Sequence, residues 1–152
     1  MSAVIRKRRR AMVSPESCEQ IVLKLGELHK HLKKLQSRML DDYHITLMEY
    51  HILAIVLKKG NASQNDIAEA LDVDKALVSR QIRAMEQKEL LICAADPECR
   101  RKNVLLLSDK ALALMPELDE LHSRGLERVF SGIDEKQLEV FQKVLEGLVS
   151  KL

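Results

Sequence analysis

From Ser63 to Lys110 the chain changes periodicity, passing from two short helical stripes across a tight turn to two apolar runs around a charged tip. Few folds accommodate that order. In SQNDIAEAL, Ser63 predicts an N-cap, Asp66 stands at N3 of a capping box, and Ile67, Ala68 and Leu71 form one apolar stripe. The small side chain of Ala68 lets a second helix approach closely. Asp72 and Val73 supply the turn, Asp74 caps the second helix, and Leu77, Val78, Ile82 and Met85 recur on its inner side.

The outer side of that second helix carries Lys75, Ser79, Arg80, Arg83 and Gln87. Residues 75, 79, 83 and 87 are four apart and residue 80 lies beside them, so they project from one face. Entry into a DNA major groove about 12 Å wide requires such a face, and Ser, Arg and Lys suit base edges and phosphates. Taken alone, it reads first as a solvated helix surface that happens to carry three cations. The neighbouring elements change the balance. The run LLICAA, the turn residues Asp96 and Pro97, then Arg100, Arg101 and Lys102 before VLLL predict a hairpin with cations near its tip. Such a wing lies along the DNA backbone or enters a minor groove, where negative potential favours arginine. The expected class is mainly α, a winged helix-turn-helix with a small β-hairpin wing.

The segment resembles the MarR family of bacterial transcriptional regulators. The resemblance rests on Leu47 to Leu57, SQNDIAEALDVDKALVSRQIRAMEQKELL, the wing DPECRRKNVLLLSDKA and a C-terminal pair of helices, and it extends over nearly all of the chain beyond residue 15. It implies that the second helix enters the major groove through Lys75, Ser79, Arg80 and Arg83, with Arg100 and Arg101 of the wing alongside. Two positions depart from the family pattern. Cys99 stands where the family wing usually has an acid that holds the wing arginine by charge-assisted hydrogen bonds, so the resemblance implies a looser Arg101. Ala111 stands where a glycine is common, and as the better helix former it favours a firm helix start from Asp109.

Outside the reader the chain is built of long amphipathic helices. Between Glu16 and Asp41, Cys18, Ile21, Leu25, Leu28, Leu32, Leu35 and Met39 alternate steps of three and four, with Cys18 read as a small buried residue. Leu112, Met115, Leu118, Leu121, Leu126 and Val129 continue the theme, with Pro116 expected to kink or delay that helix. Asp134 then caps a helix bearing Leu138, Phe141, Val144, Leu145 and Leu148. The organisation expected is one compact domain: a flexible basic arm over 1–15, dimerisation helices over 16–45 and 111–152, and the reader over 46–110. Within the reader, Thr46 and Glu49 open the helix TLMEYHILAIVLKK as a capping box and Gly60 ends it.

Charge sharpens the picture. The net charge is +2, but residues 6–10 hold five cations, so the remaining 20 cations face 23 acids. Attraction to DNA must therefore come from local placement. For the arm, phosphate or minor-groove contact and a solubilising tail both stay open. No apolar run is long enough to span a membrane, no secretory signal is evident, and three cysteines without metal-ligand spacing point to a reducing cytoplasm.

Catalytic motifs are missing. There is no phosphate loop and no nucleophile elbow, His29 and His31 cannot share a ligand on one helix face, and His44 and His51 would need a third segment to hold a metal. The expectation is no enzyme, no cofactor and no metal site. Cys99 beside Arg100 and Arg101 is a candidate redox thiol, opposed by Asp96 and Glu98. The reading is a homodimeric, sequence-specific regulator, a repressor on double-stranded DNA with a pseudo-palindromic operator, modulated by a small-molecule effector or an oxidant. The alternative is a winged-helix protein-interaction module with weak or no specific DNA binding.

Overall fold

The computed structural model describes residues 14–95 and 103–152. Helix α1 (Pro15–Leu40) is followed by a 3₁₀ turn at Asp41–Tyr43, then α2 (Leu47–Lys59), α3 (Gln64–Leu71) and α4 (Lys75–Gln87). Strands β1 (Leu91–Ala95) and β2 (Asn103–Leu107) form the hairpin, and α5 (Asp109–Phe130) and α6 (Glu135–Val149) complete the chain. The chain divides into two compact units, one ending at Leu35 and one spanning Gln36–Leu152. The continuous apolar core explains the division, because its buried members all fall at Leu40 or later.

Local chemistry starts the helices. Thr46 Oγ1 accepts from Glu49 N at 3.2 Å while Thr46 N donates to Glu49 Oε2 at 2.8 Å, the capping box expected at α2. Ser63 and Asp66 repeat the exchange at α3, with Asp66 N to Ser63 Oγ at 3.2 Å and Ser63 N to Asp66 Oδ2 at 2.8 Å. Asp74 Oδ1 accepts from Leu77 N at 2.8 Å and opens α4.

The stops are less conventional. His44, Asp72 and Glu89 adopt positive φ of 54°, 51° and 58°. Each closes a Schellman motif: Ile45 N reaches Leu40 O, Val73 N reaches Ala68 O, and Leu90 N reaches Met85 O. Leu90 and Met85 are both buried, so the last of these is also sealed by an apolar contact pair at the end of α4.

The core is built on the apolar faces of α3 and α4 that periodicity predicts, joined by α2 and α5. Ile52, Leu53 and Val56 of α2, Ile67 of α3, Val78, Ile82 and Met85 of α4, and Met115 and Leu118 of α5 are almost wholly enclosed. Each such side chain contributes roughly 1.5–3 kcal/mol by leaving water. The hairpin joins through Leu91 and Leu105, its register running from Leu91 opposite Leu107 to Ala95 opposite Asn103. Leu105 N also donates to Ala62 O at 2.8 Å, which fastens the wing to the segment between α2 and α3.

Two expectations are corrected. Helix α5 starts at Asp109, capped by Ser108, and runs through Pro116 without delay, although proline has no N–H to donate to the carbonyl of Leu112. Cys18 is exposed rather than buried in an apolar stripe, and Leu112 is exposed too. No described helix is long and apolar enough to cross a membrane.

Candidate nucleic-acid interface

Helix α4 has a buried side and an outward side, and the division follows its sequence. Val78, Ile82 and Met85 lie in the core, Leu77 is half-buried, and Lys75, Arg80, Arg83 and Gln87 are exposed, with Ser79 half-buried among them. Among the described residues, Lys75, Arg80 and Arg83 take part in no ion pair. Three long cations are thus held on one rigid face with their charges available. The wing's strands stand where expected, while Cys99, Arg100, Arg101 and Lys102 lie outside the described residues.

The support behind this face contains groups that the sequence did not reveal. Glu49 is buried, and Lys88, immediately beyond α4, reaches both its carboxylate oxygens at 2.8 and 2.9 Å. The ion pair continues what the capping box begins, since one carboxylate serves both the start of α2 and the end of α4. Lys59 Nζ similarly lies 2.6 Å from Asp66 Oδ1. That hydrogen bond, with those from Ser63 N and Oγ, holds the Asp66 carboxyl down at about 2.

A polar cluster occupies the region where α2 faces α5. Tyr50 OH donates to Asp119 Oδ1 at 2.8 Å, and the Gln36 amide donates to His122 Nε2 at 2.7 Å. The Tyr50 ring centroid is 5.0 Å from that of His122 and 5.8 Å from that of His51. Burial, then the carboxylate of Asp119, raises the Tyr50 hydroxyl far above the ordinary phenol range. Burial, then the charge of His122, lowers the His51 imidazole. Partners 69 and 86 positions apart explain why no local pattern announced these contacts. His44 is a helix-stop residue, away from any grouping of three metal-ligating side chains among the described residues.

Two helices across a tight turn, followed by an antiparallel hairpin fastened to the same core, define a winged helix-turn-helix protein. Residues 45–102, the reader itself, match the model of the MarR family. Over 138 residues it is 20% identical to the HTH-type transcriptional regulator MhqR of Bacillus subtilis (strain 168), covering 90% of this chain and 95% of that protein. Its fold is similar to that in the S. aureus MepR–DNA complex, with a TM-score of 0.78 at 22% identity, over 86% of this chain and 97% of the other. It is also similar to Bordetella bronchiseptica BpsR, in a structure concerned with regulation of DNA binding by 6-hydroxynicotinic acid, with a TM-score of 0.75, 21% identity, and coverage of 86% and 94%.

Proposed function

We propose that the chain is a sequence-specific transcriptional regulator, a repressor that binds double-stranded DNA as a homodimer in the cytoplasm. The observation that carries this reading is the outward face of α4, where Lys75, Arg80 and Arg83 stand exposed and unpaired among the described residues. Ser79, Arg80 and Arg83 read base edges, and Lys75 holds phosphate. Arg100, Arg101 and Lys102 serve the flanking groove. MepR supports the DNA partner, being a protein of this fold solved as a DNA complex.

Exposed apolar side chains support the homodimer. On α6, Val140 and Val144 are 62% and 54% exposed, and Phe141 and Leu148 join them. Ile21, Val22 and Leu23 of α1 are exposed as well. Such surfaces favour a partner, and a two-fold pair sets two recognition helices about 34 Å apart on a pseudo-palindrome. A small effector is supported by an open, mainly apolar groove of about 370 Å³ lined by His51, Ala54, Ile55, Lys58, Ala70 and Leu71. An oxidant acting at Cys99 is the other route to release.

Selection from random duplexes tests the reading. Enrichment of a palindrome whose half-sites lie one turn apart supports it; retention of duplexes without any common sequence contradicts it.

A further inference from the structure

The end of the recognition helix is tied to two other helices by bonds to Lys88 and Glu89. Its Nζ donates to Glu49 Oε1 and Oε2 and, at 3.0 Å, to the carbonyl of His44. Three donors are thereby matched to three acceptors at the start of α2. The carbonyl of Lys88 accepts from Lys110 Nζ at 2.8 Å, and the carbonyl of Glu89 accepts from Ser108 Oγ at 2.6 Å, both from the first turn of α5 or its cap. The Glu49 side chain is only 3% exposed, so turning α4 away would strand a carboxylate out of water.

Resting on the regulator reading, we propose that Lys88 is a positioning residue: it sets the pitch of α4 through Glu49, His44 and α5, and so governs discrimination between operator and other DNA. The leverage is considerable. Lys75 lies about 20 Å along the helix axis from the clamp, so a tilt of about 10° there carries it about 3 Å, more than a hydrogen bond tolerates. Base contacts fail under such a displacement, whereas phosphate attraction, being less directional, survives it. The same bonds pass movement of α5 directly to α4.

The test uses the full chain with a palindrome selected by the wild-type protein and a scrambled duplex of equal length. Lys88→Met would leave Glu49 buried and uncompensated, so it is combined with Glu49→Gln, which removes both charges while keeping an acceptor for Thr46 N. Lys88→Arg is the conservative control. Expected for the folded double variant is a loss of about tenfold on the palindrome with unchanged scrambled binding, while Lys88→Arg retains discrimination. A double variant that discriminates like wild type overturns the proposal. So does a loss that affects both duplexes alike or follows the fraction of unfolded protein in thermal melts. Failure of the wild type itself to discriminate any duplex would instead overturn the regulator reading.

Discussion

Lys59 Nζ stands 2.6 Å from Asp66 Oδ1, joining the last turn of α2 to the first turn of α3. Because Asp66 also closes the Ser63 capping box, the contact has two parts of unequal weight. The Lys59 side chain is half exposed, so Lys59→Met should cost about 0.5 kcal/mol in urea unfolding. Asp66→Ala removes the cap acceptor too and should cost about 1.5 kcal/mol. The lowered carboxyl also sets an acid limb. Its stabilising contribution is complete above the ordinary value of 3.8 and is lost as pH falls through about 2, a limb that Asp66→Ala should flatten. Equal losses in the two variants would contradict this division.

Glu89 adopts φ of 58° immediately after α4, a conformation that costs an L-residue with a side chain roughly 1–2 kcal/mol relative to ordinary backbone. Its useful group is the backbone carbonyl that accepts from Ser108 Oγ. Glu89→Gly should therefore raise stability by about 1 kcal/mol, and Glu89→Ala should not. Chemical denaturation of the two variants checks it, and destabilisation by Glu89→Gly would show that the glutamate side chain contributes.

His51 supplies a pH dependence of known sign. Burial, followed by the charge of His122, lowers its imidazole in the folded chain below 6.5. The unfolded chain then takes up the proton first, so stability is full above 6.5 and declines as pH falls from there through the lower folded value. Urea midpoints measured from about pH 8 to about pH 5 should fall for the wild type and fall less for His51→Gln. An identical profile for the two proteins would rule out His51 as the source of the dependence.

Much of the fold was legible because its signals are local. Thr46 with Glu49, Ser63 with Asp66, and Asp74 ahead of Leu77 announce helix starts within three residues, and the faces of α3 and α4 follow from periodicity. The candidate site was legible for the same reason, since Lys75, Ser79, Arg80 and Arg83 share a face once α4 exists. What stayed hidden depends on tertiary proximity. The Glu49–Lys88 pair spans 39 positions, and the capping box accounted for only one of the two roles of that glutamate. The stops at His44 and Glu89 lack the glycine that usually marks a left-handed residue. Cys18 fits an apolar spacing, but spacing names a helix face without naming what covers it.

If α4 reads bases rather than merely attracting phosphate, its arginines must discriminate between base pairs. The most direct test is a salt-controlled anisotropy titration of wild type, Arg80→Ala and Arg83→Ala against the selected palindrome and single-base variants of it. Each arginine variant is expected to lose about 1–3 kcal/mol on the palindrome and no longer to distinguish the base pair its side chain contacts. Equal losses on every duplex, or wild-type binding that ignores sequence, would contradict base reading by α4.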